Sequence, residues 1–313
     1  MLPIIQPVDK AILEKELNKN VYVRKTNYGN NQIFIVTHHN SPNVVREIGR
    51  LREVTFRDAG AGTGKEIDLD EFDLNENPYK QLIVWNPRDK EIIGGYRYIE
   101  LASVKRKLDG NFDLATSELF HFSEMFIKEF MPYTIELGRS FVYTPYQPSS
   151  KNRKGLFSLD NIWDGLGVLV VDNPNLKYYF GKVTMYRSFN IKARDLILFF
   201  MHKHFPDNEH LVYPIESLPI TTKEAELQSI LTSSDYKTDY KLLSHKVRAL
   251  GENIPPLINS YMNISPTMRT FGTSPNPGFG EVEETGILVN VADIYPSKKE
   301  RHIVSYVNEK NER

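Results

Sequence analysis

Three arginines in this chain fall where a charge is rarely left alone. Strand alternation in IIGGYRYIEL puts Ile93, Gly95, Arg97, Ile99 and Leu101 on one face. In YTIELGRSFVYT it groups Ile135, Leu137, Arg139 and Phe141, with Glu136 opposite. On an upstream helix, Arg52 stands four residues from Ile48 and four from Phe56. A cation on an apolar face requires a partner, and the segment after that helix offers Asp68, Asp70, Glu71 and Asp73. Guanidinium groups bind carboxylates and phosphates in forked geometry. A carboxylate such as Glu136 in a partly apolar setting acquires a pKa suited to proton transfer. Two readings fit these residues. One is a semi-buried ion network tying helix, loop and two strands together; the other is a set of snorkelling arginines beside a solvated acidic loop. A buried network adds little stability for its desolvation cost, which favours a functional role. Gly138, between Glu136 and Arg139, permits a bulge that would bring both side chains toward one cleft.

Other chemical signals fail on spacing. GAGTGK resembles a phosphate-binding loop, but position 59 is alanine, Glu66 follows the lysine, and the segment comes after a helix. His38 and His39 point to opposite faces if their strand persists, and His202 and His204 are two apart on a helix, so neither makes a metal pair. No metal is expected.

The elements that must position these groups are legible as periodicities. Residues 11–19 suit a short lead helix and NQIFIV (31–36) a strand; SPN (41–43) supplies a turn and a cap. VVREIGRLREVTFRD then carries Val44, Ile48, Leu51 and Thr55 on one helical stripe, with Ile48, Arg52 and Phe56 beside it. QLIVW (81–85) and EIIGGYRYIEL (91–101) read as a hairpin turned by NPRDK. HFSEMFIKEFM suggests a helix, YTIELGRSFVYT (133–144) a strand, SLDNIWDGLGVLVV a helix capped by Ser158, and KYYFGKVTMY a strand. NIKARDLILFFMHKHF is an amphipathic helix capped by Asn190. This alternation is an α/β sandwich, expected as a core over residues 1–206. Residues 207–313, with two polar helices, a Pro/Gly-rich stretch and the strand GILVNV, are expected as a helical and β-hairpin elaboration packed on that core.

With 313 residues, 40% apolar and 25% charged, the chain reads as an ordinary globular protein. A net charge of −1 provides no global field toward nucleic acid. The absence of cysteine excludes disulfides, thiolate metal sites and a cysteine nucleophile. MLPIIQPVDK lacks the basic and apolar regions of a signal peptide, and no run approaches the roughly 18 apolar residues of a spanning helix. The expected location is the cytoplasm, with peripheral contact at the inner face of a membrane as the further expectation.

The order Arg52, Phe56, Asp70, Asp73, Arg97, then Glu136-Leu-Gly-Arg139-Ser-Phe-Val resembles the acyl-homoserine-lactone synthases. GRLREVTFRDAGAGTGKEIDLDEFD, YKQLIVWNPRDKEIIGGYRYIE, ELGRSFV, YYFGKVTMY, IPPLINSYMN and EETGILVNV are more similar to the ornithine-lipid and glycine-lipid N-acyltransferases, a group also labelled hemolysin-like. Together they span most of residues 31–295. The resemblance implies a GNAT-like mixed central sheet whose splayed strands admit a pantetheine arm and whose faces carry helices. It implies an acyl carrier protein thioester as donor, no permanently bound cofactor, a free amino acid as acceptor, and a place in aminolipid biosynthesis. It places Arg52, Phe56, Asp70, Asp73, Arg97, Glu136 and Arg139 in the functional cluster. YQPSSKNRKGLFS has Arg153 and Gly155 but not the full R/Q-x-x-G-x-G/A pattern of the acetyl-CoA branch, which argues against acetyl-CoA.

Aminolysis of a thioester requires a neutral amine, a site for oxyanion charge and a fixed acyl chain. Glu136 is the candidate base, directly or through a water. Arg97 or Arg139 would meet the acceptor's carboxylate, unless Arg139 locks Glu136. Lys151, Arg153, Lys154 and Gly155, ahead of a helix start, suit a phosphopantetheine phosphate and an acidic carrier surface, a solvated loop being the alternative. Trp163, Phe180, Phe199 and Phe200 could line the acyl chain or simply fill the core. The expected activity is transfer of a long-chain 3-hydroxy acyl group to glycine. Transfer to ornithine, an acyl-homoserine-lactone-type synthesis, and a non-catalytic acyl-binding or hemolysin-like protein are the alternatives.

Overall fold

The hairpin read from QLIVW and EIIGGYRYIEL is the centre from which the first half of the protein is built. The computed structural model describes residues 1–147 and 154–311. In chain order the elements are α1 (Lys10–Glu16), β1 (Tyr22–Lys25), β2 (Gln32–Val36), α2 (Pro42–Asp58), α3 (Glu71–Leu74), β3 (Lys80–Asn86) and β4 (Glu91–Glu100). There follow β5 (Phe120–Phe122), β6 (Thr134–Val142), α4 (Ser158–Asp172), β7 (Tyr178–Met185), α5 (Ile191–His204) and β8 (Val212–Pro214). The remainder comprises α6 (Glu224–Ile230), α7 (Tyr236–Ala249), α8 (Pro256–Met262), β9 (Arg269–Asn276), β10 (Val282–Asn290), α9 (Pro296–Lys299) and α10 (Ser305–Asn311). These elements gather into two compact α/β units that interleave along the chain. One comprises Met1–Ala115, Tyr133–Lys177 and the residues from Pro296 on; the other comprises Thr116–Pro132 and Tyr178–Tyr295. Among the described residues no helix is long and apolar enough to cross a membrane.

In the first unit β1, β2, β3, β4 and β6 pair in that order, each antiparallel to its neighbour. Leu82 and Tyr96 are register partners on the face that α4 covers: the Tyr96 hydroxyl donates to the Ile162 carbonyl at 2.8 Å. The opposite face, where Gln81 pairs with Arg97, lies under α2. The periodic stripe of α2 is buried as its spacing requires, Val44, Ile48, Leu51, Arg52, Thr55 and Phe56 included. Ser41 and Ser158 do not cap as read from the sequence. Ser41 stands at the cap of α2 without a side-chain bond, its start set instead by Pro42, and Ser158 is already inside α4, whose cap position is Phe157.

In the second unit β10 runs between β7 and β9, antiparallel to both, and β5 pairs with β8. Asn190 caps α5 by accepting from the Lys192 and Ala193 amides, as its position before an amphipathic run predicts. The segment HFSEMFIKEFM divides: its start lies in β5, and Phe126–Phe130 forms a π-helical turn. Its rings explain the division, because Phe122 and Phe126 both pack on Phe180, at centroid distances of 5.7 and 5.6 Å. Phe180 and Phe200 are buried core.

The C-terminal helices return to the first unit. His302 joins Asp164 of α4 through Nδ1 at 2.8 Å, and Lys310 pairs with Asp172 at 2.7 Å. Gly167 permits that approach, since a Cβ there would lie 1.9 Å from the His302 carbonyl oxygen. Gly167→Ala therefore loses its ordinary helix-propensity gain to a backbone clash. It is expected to lower stability by about 1–3 kcal/mol, read as a fall in denaturation midpoint; a midpoint equal to or above the parent's would refute the packing argument.

Candidate active site

The register of β4 with β6 decides which side chains share the α2 face. Gly95 pairs with Phe141, but Arg97 pairs with Gly138, so β6 carries one extra residue across this interval. Arg139 takes up the bulge with φ +50°, a conformation costing on the order of 1 kcal/mol for a residue with a side chain. Unbroken alternation along β6 puts Glu136 on the face opposite Arg139. The actual pairing, Ile99 with Glu136 and Arg97 with Gly138, puts Glu136 on the Arg97 face and leaves Leu137 with Tyr98 on the other. The bulge expected at Gly138 is the physical reason. Beyond it, the Arg139 side chain reaches back to the acidic loop.

That loop and α2 close a continuous ion network. Arg52, wholly buried, donates through Nη1 to both oxygens of Asp73, at 3.2 and 3.1 Å, and through Nη2 to Gln81 Oε1. Gln81 returns its amide to Asp73 Oδ1 at 2.8 Å. Arg97 Nη1 bridges Asp70 Oδ1 at 2.6 Å and Asp73 Oδ2 at 3.1 Å. Asp70 and Asp73 are also the two halves of a capping box on α3, each accepting the other's backbone amide. Arg139 Nε meets Asp68 at 3.1–3.2 Å, and its Nη2 lies 3.9 Å from Asp70. The reading of a semi-buried network thus holds against that of snorkelling side chains. Phe56 is buried in the last turn of α2.

The aspartates feel this setting differently. Burial alone would raise the Asp73 carboxyl, but the charges of Arg52 and Arg97 and the hydrogen bonds it accepts hold it well below the usual carboxylate range. For Asp68 burial prevails, and its carboxyl is pushed up despite Arg139, Arg52 and Arg97. Arg97 loses by burial but gains more from Asp73 and Asp70, which raise its pKa further. Among the described residues only Nη1 of Arg97 bonds to a protein group; its Nε is buried without a partner. A Cβ on Gly138 would stand 3.7 Å from that Nε, so glycine places no side chain against the side-on edge of the guanidinium. An edge of this kind matches a carboxylate in forked geometry.

Glu136, 1% exposed, accepts the Tyr79 hydroxyl at 2.8 Å, and the Tyr79 phenol oxygen in turn accepts the Ala115 amide at 3.1 Å. Burial and the neighbouring Glu136 charge push the Tyr79 phenol well up, so it remains a proton donor. Sequence reading passed over Tyr79 and Gln81. Their one signal was position: alternation through YKQLIVW puts both on the face that carries Arg97.

The remaining singled-out residues lie elsewhere. Lys151 and Arg153 fall outside the described residues. Lys154 pairs with Asp89 at 2.7 Å and with Glu91 at 3.6 Å, above the Tyr146 ring. Gly155 packs on the Tyr146 carbonyl, where a Cβ would come within 2.0 Å. The GAGTGK amides do bind an anion, but an internal one: buried Glu53 accepts Thr63 N at 3.0 Å, Thr63 Oγ1 at 2.8 Å and Gly64 N at 2.9 Å. β2 ends at Val36, so His38 and His39 do not alternate as read; their rings lie 3.8 Å apart, with Nε2 atoms on the Asn75 and Glu76 carbonyls. His204 contacts Asp239 Oδ2 at 3.0 Å, and burial lowers His202.

The family described as acetyltransferase (GNAT) domain matches residues 51–153, from the middle of α2 through β6. Over 307 residues the chain is 55% identical to a glycine N(alpha)-acyltransferase of Bacteroides thetaiotaomicron, covering 98% of this chain and 91% of that one. Over 309 residues it is 53% identical to a glycine N(alpha)-acyltransferase of Phocaeicola vulgatus, covering 99% and 95%. Among solved structures, the CoA-dependent acyl-homoserine lactone synthase BjaI, with MTA, gives a TM-score of 0.31 at 13% identity, over 49% of this chain and 67% of that one. A likeness of that size carries no argument.

The opposed aspartates make a stability test. Asp73→Asn leaves two buried guanidiniums short of a counter-charge, and a loss of about 3–5 kcal/mol is expected. Asp68→Asn removes a carboxylate that burial already disfavours, and a change within about 1 kcal/mol is expected at neutral pH. Because the Asp73 carboxyl is depressed, its contribution is present above the ordinary carboxylate pKa of about 4 and lost as pH falls below it. Denaturant midpoints at pH 7 and pH 3 check both; equal losses for the two variants at pH 7 would contradict the assignment.

Proposed function

The chain belongs to the family of these glycine N(alpha)-acyltransferases, and we propose that it transfers a long-chain, 3-hydroxy fatty acyl group from acyl carrier protein to the amino group of glycine. Conversion of a carrier-bound acyl group into an N-acyl amino acid is a step of aminolipid synthesis. The named activity of both relatives supports glycine as acceptor. The carrier donor, the acyl length and the 3-hydroxyl rest on the sequence resemblance. So do a cytoplasmic location and a peripheral contact with the membrane that would receive the product.

The observation that carries the reading is a buried carboxylate and a partly unpaired guanidinium two register positions apart on one sheet face. Side chains in that diagonal relation have Cβ atoms about 7 Å apart, within reach of one small substrate that touches both. Arg97 is assigned the acceptor's carboxylate, through the Nε edge opposite Gly138. Arg139 is assigned to holding the acidic loop, given its contact with Asp68. Arg52, Asp70 and Asp73 fix Arg97, and Phe56, buried in the last turn of α2, is assigned to the site's wall. Lys151, Arg153, Lys154 and Gly155 are assigned to the carrier's phosphopantetheine, with Lys154 already sharing its charge with Asp89 and Glu91.

In this mechanism the glycine ammonium gives one proton to Glu136, directly or through a water, and the free amine attacks the thioester carbonyl. The tetrahedral oxyanion collapses, the C–S bond breaks as the amide forms, and the nitrogen loses its second proton. The departing thiolate takes up one proton; the other passes to solvent. No bound cofactor enters the balance.

Purified protein supplied with a long-chain 3-hydroxyacyl carrier protein, or with the matching CoA thioester, and with glycine or ornithine tests this by mass spectrometry of the product. N-acylglycine from the carrier-bound donor is the expected result. N-acylornithine, a cyclised lactone or no amide at all would each refute the acceptor assignment, and equal use of the CoA thioester would refute carrier dependence. Glu136→Gln is expected to lower kcat by about 100-fold or more; undiminished turnover would remove Glu136 as base.

A further inference from the structure

Tyr79 has no role in the scheme above, yet its hydroxyl donates to Glu136. It immediately precedes β3, is 1% exposed, and pairs its hydroxyl with Glu136 Oε1 at 2.8 Å. The Tyr79 phenol oxygen accepts the Ala115 amide at 3.1 Å, which occupies its acceptor side and leaves the hydroxyl hydrogen for the carboxylate. The ring is held on two sides. It packs edge-on against Phe72 of α3 at 5.7 Å, and the Arg97 guanidinium lies over it at 5.0 Å from the centroid. Tyr79 therefore touches both groups assigned to the acceptor, and its orientation is set by α3, β4 and a backbone amide together.

We propose that Tyr79 is a positioning residue for Glu136, its hydroxyl holding the carboxylate ionised and in a single orientation to take the acceptor's proton. This deepens the reading of Glu136 as base and rests on it. A hydrogen bond donated to a carboxylate favours the charged form, so the phenol poises the base for lower pH than an apolar neighbour would allow. The other charged groups at this end of the site include, among the described residues, Arg52 from α2, Arg97 from β4, Arg139 from the bulge, and Asp68, Asp70 and Asp73 from the loop and α3. Among these, burial raises the Asp68 carboxyl, and it meets Arg139 rather than Tyr79. An acid limb that follows the phenol is thereby attributable to Glu136.

Tyr79→Phe keeps the ring and removes the hydroxyl. In the carrier-thioester assay with glycine, the acid limb of kcat/KM against pH is expected to move up by about one pH unit, with the lost rate recovered on the alkaline side. Site-specific 3-fluorotyrosine at position 79 keeps the hydroxyl and makes it a stronger donor, and should move the limb the opposite way. A limb that stays in place in both variants, or a loss uniform across pH, would overturn the proposal and leave Tyr79 a packing residue. Glu136→Gln separates the two levels: if it is inactive while the limb ignores Tyr79, only this inference falls, whereas an active Glu136→Gln removes the reading beneath it.

Discussion

Asp73 sits between the guanidinium groups of Arg52 and Arg97, and the geometry of the site depends on that arrangement. Each of these charges is almost completely removed from water, on faces otherwise filled by valine, isoleucine, leucine and aromatic side chains. Isolated, any one would be prohibitively costly there. Together they join α2, α3, β3 and β4 through bonds whose directions are fixed by planar groups. Buried ion networks of this kind contribute little net stability compared with a hydrophobic core. What this one does contribute is placement: it bonds Arg97 through Nη1 and, among the described residues, leaves its Nε without a hydrogen-bond partner.

The β6 bulge is the complementary device. Left-handed backbone at Arg139 stores strain, and the strain is offset by what the extra residue permits. Glu136 turns onto the same face as Arg97, and Arg139 reaches the loop that carries Asp68 and Asp70. Gly138 has a separate purpose, since the space that a side chain would fill lies beside the Arg97 Nε. One short run, ELGRSFV, thus supplies a carboxylate, a gap and an anchoring cation by departing from regular alternation at one point.

Away from the site, charged groups resembling ligand-binding motifs are consumed internally. The glycine-rich loop after α2 folds onto Glu53, so amides that would otherwise suit a phosphate satisfy a carboxylate of the preceding helix. In the second unit, Asp195 on α5 accepts the amides and hydroxyls of Thr221 and Thr222, fixing a long connection that has few apolar side chains of its own. Both cases follow from the cost of leaving a buried carboxylate short of donors.

Local periodicity alone determined the central hairpin, α2 with its buried stripe, α5 with its asparagine cap and the α/β class, because apolar spacing follows the geometry of each element. It also singled out Arg52, Arg97 and Arg139 with the acids at 68–73 as their candidate partners, since a charge on an apolar face is costly without one, but left snorkelling arginines as the alternative. Strands such as β1 and β9 were not legible, because their short or glycine- and proline-interrupted sequences pair only through neighbours distant in the chain. Tertiary structure alone decided that Glu136 faces Arg97, that Tyr79 is the donor beside it, and that the residues after Pro296 return to the first unit. Each of these depends on strand register or on a contact across tens of residues, and a one-residue bulge is enough to reverse the face that alternation assigns.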